Sequence, residues 1–421
     1  MTLEERALRK VTRRLIPFLF LIYVVAYLDR VNVSFAQLQL EDDLGFSDTI
    51  FGIGAGIFSL GYVIFGVPSN LALARFGARR WLAAIMVVWG LISASMALMD
   101  GAASFYVLRF LLGAAEAGFF PGIILFLTWW FPERERTRAV ALFLTAVSAA
   151  YVAGGPLSGG LLELDGIGGL DGWQWLFLVE GAPAIVLGFV TLRFLDERPA
   201  DAGWLEPEER EFLAAELERE APPVLGLTRD ALASGRVWLL GLVYFVLLAA
   251  GFGLIFFVPD LVQERTGYSD FEVGVLSAIP FGFATVAMIV AARRGSGLTG
   301  PVLCGAAGTL LTAYAQSSLL LTLGVTLAAV GLLSALPRFW AVPTAFLSGS
   351  AAAAGIALVA AVGNLGGFVG PAFTGIAEDA TGGFEMPLTV LAGVLLLTAG
   401  CFRASAWASR RASSSAARAR V

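Results

Sequence analysis

The sequence predicts an all-α integral membrane fold, with twelve transmembrane helices arranged as two pseudo-symmetric halves of six. Three observations lead there. The 421 residues are 58% hydrophobic and only 14% charged, with mean hydropathy +0.80, whereas a soluble domain carries about 25% charged residues. Apolar stretches of about 18 residues or more recur from Leu15 almost to the C-terminus, each long enough to cross a hydrocarbon core of ~30 Å as a helix. One long charged segment, 196–236, divides six such stretches from six more.

The expected spans are 15–38, 48–72, 81–99, 104–130, 139–161 and 173–195, then 237–260, 271–292, 300–315, 319–347, 350–378 and 386–407. The 49 glycines suit close helix approach in lipid. The first apolar run exceeds a signal-peptide core and no small-residue cleavage site follows it. Most of the 28 basic residues fall before the first helix, in 73–80, 131–138, 196–236 and 293–299, and in the tail. Those segments are therefore placed in the cytoplasm, with both termini inside. Outer loops are acidic, as in Glu41-Asp42-Asp43 and Glu378-Asp379. The domain reading is a six-helix half over 1–195, a cytoplasmic linker over 196–236, a second half over 237–407 and a basic tail over 408–421. Within the linker, 208–219 reads as a solvated surface helix ahead of Pro222-Pro223. Tyr23 aligns with Tyr244, Pro121 with Pro343, and Gly155-Pro156 with Gly370-Pro371. Two repeats about a midplane site are the build of a rocking transporter.

Composition also excludes. Histidine is absent and the two cysteines, Cys304 and Cys401, sit in different apolar runs as small packing residues. A histidine- or cysteine-based metal site and histidine-based acid–base chemistry are thereby removed. A membrane acyltransferase or prenyltransferase would need histidine or clustered aspartates, so no enzyme activity, cofactor, metal or nucleic-acid partner is expected. The chain is expected to be a monomer in the bilayer.

Charges inside apolar helices cost at least ~2.5–3.5 kcal/mol each and mark function by default. The first helix carries Tyr27-Leu-Asp-Arg-Val-Asn-Val-Ser34. Tyr23, Tyr27, Arg30 and Ser34 share one helical face, and Asp29 is turned about 100° from Arg30. Arg109 and Glu116 on the fourth helix are two turns apart and point the same way, with Gly113 leaving room between them. Asp29 and Glu116 come out at similar depth. Ala250 stands where Asp29 would repeat in the second half, so the coupling ion is assigned to the first half. Carboxylates can exchange a proton and arginine cannot, so Asp29 and Glu116 suit proton binding while Arg30 and Arg109 suit a fixed anion site. The competing reading is that these four only neutralise one another and tie helices together. Glu180, ahead of Gly181-Ala-Pro183, is read as structural. Arg338 lies between Pro337 and Pro343, whose ladder breaks are tolerated where a helix lines a cavity. It either snorkels to the cytoplasmic side or adds an anion contact from the second half.

These residues resemble the major facilitator superfamily, and within it the anion:cation symporter family. The match rests on 27–34, on Pro68-Ser-Asn-Leu-Ala-Leu-Ala-Arg-Phe-Gly-Ala-Arg-Arg-Trp81, on Arg109-Phe-Leu-Leu-Gly-Ala-Ala-Glu-Ala-Gly-Phe-Phe-Pro-Gly122 and on Gly172-Trp-Gln-Trp-Leu-Phe-Leu-Val-Glu-Gly181. Later agreement lies in Phe339–Gly349 and in Gly363-Asn-Leu-Gly-Gly-Phe-Val-Gly-Pro371, which brings Asn364 among the substrate-binding candidates. The resemblance implies the major facilitator fold and proton- or sodium-driven uptake of a small organic anion: a sugar acid, dicarboxylate or aromatic carboxylate. It implies proton coupling at Asp29 and Glu116, anion binding and gating at Arg30 and Arg109, and a pocket lined by Tyr27 and Tyr62. It makes Arg75, Gly77, Arg79 and Arg80 the loop motif between helices two and three. A bacterial inner membrane is the implied location, and buried carboxylates without an evident oxygen cage favour the proton over sodium. Gly66 replaces a family glutamate, Ala74 a superfamily aspartate and Ala360 a frequent asparagine. The second copy of the loop motif is reduced to Arg293-Arg294-Gly-Ser-Gly297.

An alternative is a proton-driven exporter of drug-like compounds, supported by Gly155-Pro-Leu-Ser-Gly-Gly160, which matches the core of an antiporter motif. A transporter-like sensor that binds without turnover is a second.

Overall fold

The structure, a computed structural model, describes residues 2–219, 233–293, 297–346 and 350–418. Among these, ten helices are long and apolar enough to cross a bilayer, and two shorter apolar helices, Thr299–Ala313 and Glu385–Cys401, stand at the expected ninth and twelfth spans. Pro222-Pro223, Arg294-Gly-Ser296 of the reduced loop motif and the Leu347-Ser-Gly349 end of one quoted stretch lie outside the described residues.

The described residues form two units. The first draws on Met1–Phe46, Ile53–Gly226 and Ser269–Ala278, the second on Ser47–Gly52, Leu227–Tyr268 and Ile279–Val421. The first unit contains α1 (Leu3–Leu44), most of α2 (Asp48–Phe76), α3 (Ala78–Ser95), α4 (Ala102–Glu116), α5 (Phe119–Thr128), α6 (Glu133–Leu162), α7 (Gly172–Phe194) and α8 (Pro207–Glu218). The second contains α9 (Gly235–Ile255), α10 (Val258–Thr266), most of α11 (Asp270–Arg293), α12 (Thr299–Ala313), α13 (Ser318–Phe346), α14 (Ser350–Asn364), α15 (Gly366–Thr381) and α16 (Glu385–Arg418). Large apolar side chains such as Leu98, Val186 and Leu397 stay exposed, the composition of a face turned to lipid.

Several helices outrun their apolar cores. α1 starts at Leu3 because Thr2 and Glu5 form a capping box, and it ends at Gly45 with φ 65°. Others break where one continuous helix was expected. α4 and α5 part at Ala117-Gly118, and α9 and α10 part at Phe256-Phe257. Pro121 and Pro259 follow the two breaks, and each removes an N–H and crowds the carbonyl four residues earlier. α14 and α15 part at Leu365, ahead of Gly366-Gly367. By contrast α13 runs unbroken through Pro337, so the expected break beside Arg338 does not occur. One proline costs one ladder bond, and a packed membrane helix absorbs it.

The linker helix is not fully solvated. α8 forms where the charge pattern placed a helix, but Glu209 and Leu213 are buried. Lys10 reaches from α1 to the Glu209 carboxylate at 2.8 Å. The Arg14 guanidinium lies over the rings of Phe194 and Trp204, at 4.6 and 5.0 Å, and Trp204 stacks on Trp130 at 5.7 Å. The linker is thereby pinned to the first unit by cation–π and stacking contacts that helical periodicity does not report.

Burial pushes the Glu209 carboxyl up, but hydrogen bonds from Lys10 and from the Glu206 backbone outweigh it, so it sits below its ordinary value of 4.5. A lowered carboxyl contributes its stability above the ordinary value and loses it as pH falls through the lowered one. Hydrogen exchange of 207–218, corrected for intrinsic rates, should therefore be flat from neutrality to about pH 5 and rise below about pH 4.5. Lys10→Met should flatten that step with a few-fold change at neutral pH, because Lys10 is 40% exposed and water screens the pair to about 1 kcal/mol. An unchanged step in Lys10→Met would disconnect the linker from Lys10.

Candidate functional site

Helical spacing places Tyr23, Tyr27, Arg30 and Ser34 on one side of α1, and the first unit uses that side as an aromatic wall. Tyr23 stacks on Phe143 at 4.4 Å and meets Tyr27 edge-on at 5.1 Å. Tyr27 in turn meets Tyr151 at 5.9 Å. Arg30 lies over three rings, Tyr27, Phe58 and Tyr62, at 5.2, 5.0 and 5.2 Å. Its Nη2 donates to Glu116 Oε2 at 2.9 Å; the Arg30 side chain is 19% exposed and that of Glu116 1%. Arg30, Tyr27 and Tyr62 thus form a half-open cradle whose cation is held by a buried carboxylate from α4. Ser34 is buried but donates to the Val31 carbonyl of its own helix.

Asp29 faces elsewhere, as its 100° offset required. Its Oδ1 accepts the Ser93 hydroxyl of α3 and, at 3.5 Å, the Asn32 amide one turn on. Its Oδ2 has no hydrogen-bond partner although the residue is buried. Asp29 lies 15 residues before the end of α1 and Glu116 14 residues after the start of α4. At ~1.5 Å per residue those distances are about 22 and 21 Å, so the two carboxyls stand at similar depths.

Arg109 is placed differently from a pocket residue. It is fully buried, with Nε donating to the Gly54 carbonyl at 3.3 Å and Nη2 to the Ala55 carbonyl at 3.2 Å. Asp29, Glu116 and Arg30 all lie within its electrostatic reach. Its planar fork spans two successive carbonyls of α2, a geometry an ammonium could not reproduce. Gly113 serves a purpose other than making room for side chains. A Cβ there would strike the Phe58 carbonyl oxygen, so the glycine lets α4 press against the α2 backbone and brings Glu116 within reach of Arg30.

In the second unit Arg338 is half-buried and donates to the Ser334 carbonyl at 3.2 Å. Asn364 donates to the Ala360 carbonyl at 2.8 Å. Each thus satisfies a carbonyl one turn back on its own helix. Tyr244, the repeat partner of Tyr23, stacks on Phe339 at 5.0 Å. The acidic residues Asp48, Glu378 and Asp379 lie close together. Asp379 accepts the Thr49 N–H at 2.9 Å, which makes the group an anionic cap on the start of α2.

The loop motif is a turn built on Gly77, whose φ of 88° favours glycine. Glu197, which sequence reasoning passed over, closes that turn. Its carboxylate accepts the Ala78 and Arg79 N–H groups at 2.9 and 3.1 Å, capping α3. Arg79 returns its Nε to the Leu192 carbonyl at 2.6 Å, while Arg75 and Arg80 are exposed. Asn32 was missed as a partner of Asp29, and Glu180 as a second acidic group near it. The available signal was their placement: two more polar groups inside apolar helices.

Broken helices, a half-open aromatic cradle and ionisable groups sealed inside a multi-pass membrane bundle define a membrane transporter rather than an enzyme. The Major Facilitator Superfamily model matches residues 19–371, and the chain belongs to that superfamily. A protein of Agrobacterium vitis named for tartrate transport is 48% identical over 408 residues, covering 94% of this chain and 90% of that protein. A quinolone resistance transporter of Acinetobacter baumannii is 40% identical, covering 94% of each. The fold is shared with a bacterial homologue of the human lysosomal transporter Spinster in an inward-facing, unoccupied conformation. That match has a TM-score of 0.78 at 18% identity over 93% of this chain and 96% of that one.

Glu197→Ala should strip the cap from α3 at a cost of ~1 kcal/mol, the usual scale for a lost helix cap, and lower the melting temperature in detergent by ~2–4 °C. Glu197→Gln, which keeps an acceptor oxygen, should lose less. Melting of Glu197→Ala at the wild-type temperature would show that the bridge to 78–79 holds nothing.

Proposed function

We propose that the protein is a symporter that carries a small organic anion together with a proton, with diacids of the tartrate kind as the substrate class. It works by alternating access in a bacterial inner membrane, as a monomer with both termini in the cytoplasm. The six-helix halves over 1–195 and 237–407 are its moving parts, with 196–236 between them.

The Arg30–Glu116 pair carries this reading. Arg30 is part-exposed in an aromatic cradle, while its carboxylate partner is sealed. An incoming carboxylate competes with Glu116 for the guanidinium's charge, and a displaced Glu116 cannot remain charged without a partner at that depth. A proton on Glu116 removes the competition. Anion and proton therefore favour each other's binding, which is the linkage symport needs and antiport does not. Asp29, at similar depth with one oxygen unpartnered, is the second proton carrier. Arg109 keeps α2 and α4 in register and supplies positive field to both carboxyls. Arg338 and Asn364, in the second unit, are assigned to anion binding as well. Carboxyl groups without an oxygen cage fit a proton better than sodium.

The exporter reading is favoured by one observation, the 40% identity to a quinolone resistance transporter. Intact cells separate the two, since export lowers accumulation of the compound and symport raises it.

Calorimetry of tartrate binding across pH tests the coupling. Wild-type affinity should rise as pH falls, by about five- to 150-fold for a coupling of ~1–3 kcal/mol. Glu116→Gln should bind at the low-pH affinity throughout. In the same titration Arg338→Ala should weaken tartrate more than a monoacid of similar size. Unchanged pH dependence in Glu116→Gln would end the coupling assignment, and equal losses for both acids would remove Arg338 from the site.

A further inference from the structure

A third carboxyl lies inside the first unit and the transport cycle above does not use it. Glu180 on α7 is 3% exposed. Its Oε1 accepts the Ser158 hydroxyl of α6 at 2.8 Å, and its Oε2 has no hydrogen-bond partner. The Asn32 amide, which touches Asp29, also reaches Glu180. No cation pairs with Glu180 among the described residues: Arg30 is held by Glu116, and Arg109 lies on the α2 carbonyls. α1 presents Asp29 to it as the interacting charged group. α6 presents Ser158, α3 presents Ser93 through Asp29, and the Met96–Leu98 turn presents no charge. Nearer the end of the unit, Asp43 accepts the Trp173 indole N–H and Asp165 the Gly172 N–H. Three carboxyls with two guanidinium groups leave one negative charge too many for a dry interior, and a proton is the cheapest remedy.

Heights along the helices give these groups an order. Gln39 is bonded to both the Leu162 carbonyl and the Trp173 N–H, which fixes a common level for α1, α6 and α7. Counting inward at ~1.5 Å per residue, Ser158 lies about 6 Å below that level, Glu180 and Asn32 about 10 Å, and Asp29 about 15 Å. The polar groups descend from one end of the unit to Asp29 on the side of α1 away from Arg30.

We propose that Glu180 is a third proton-carrying carboxyl, which passes its proton to Asp29 by a route that bypasses the Arg30 cradle. The step moves one proton. The Glu180 O–H breaks and Asp29 Oδ2 gains the proton, leaving a Glu180 carboxylate that the Ser158 hydroxyl and the Asn32 amide stabilise until it is reprotonated from the Ser158 end. This rests on the proton-coupled reading above, because Asp29 must titrate during transport.

Glu180→Gln keeps the shape and removes the proton. The first readout is infrared absorption of protonated carboxyl groups in the purified protein at neutral pH, which needs no substrate; the variant should lose one such carbonyl band. In proteoliposomes, proton-driven tartrate uptake should fall tenfold or more with an altered pH profile. Exchange of labelled for unlabelled tartrate should persist, and Glu180→Asp should recover most of the uptake. An unchanged band, or driven uptake with the wild-type rate and pH profile, overturns the proposal. So does a parallel loss of uptake, exchange and melting temperature, which would make Glu180 a strut. Asp29→Asn, run alongside, separates the two levels. If it still accumulates tartrate, proton coupling at Asp29 fails. If it stalls while Glu180→Gln does not, only the Glu180 step fails.

Discussion

A guanidinium inside a membrane protein needs acceptors in place of water, and the first unit gives Arg30 a buried carboxylate, Glu116. Glu116 comes from a helix 86 residues away in sequence and reaches Arg30 because Gly113 lets α4 lie against the α2 backbone. Arg109 ties the same two helices through the Gly54 and Ala55 carbonyls. The aromatic rings under Arg30 stabilise its charge without fixing its direction, since a ring face attracts a cation from a broad cone. In the proposed mechanism this fixed packing holds the Arg30–Glu116 contact for which an external anion competes.

Much of this was legible in the sequence, and the reasons differ from residue to residue. Length and hydropathy alone locate the spans, because a bilayer imposes a minimum apolar run. Helical geometry correctly turned Asp29 away from Arg30, since a 100° step does not depend on tertiary context. Pro121 and Pro259 signalled the breaks after Glu116 and after Ile255, although the expected spans ran through both. What stayed hidden was choice of partner. Nothing in the local sequence shows that Arg30 meets Glu116 from a distant helix, or that Arg109 meets carbonyls. Glu197 was equally hidden, because a capping carboxylate 119 residues from its helix leaves no periodic trace.

The same unit joins its membrane interior to its linker face. Gly77 and Glu197 set the start of α3, and α3 carries Ser93 to Asp29. α7 carries Glu180 in its interior and leads, just past its end, to Glu197 and to the Trp204 segment that holds Arg14. A shift of α3 against α7 would therefore be felt both at the buried carboxyls and at the docked linker. These helices pack through Gly90, Gly181 and Gly188, whose smooth surfaces suit sliding better than interlocked side chains would.

In the proposed mechanism an anion takes Arg30 only as Glu116 gains a proton. The most direct measurement is the number of protons taken up when tartrate binds, read by calorimetry in buffers of different ionisation heat across the neutral and alkaline range. Coupled binding gives net uptake that rises with pH toward about one proton per anion bound. Binding with no proton uptake anywhere in that range, or with proton release, would contradict it.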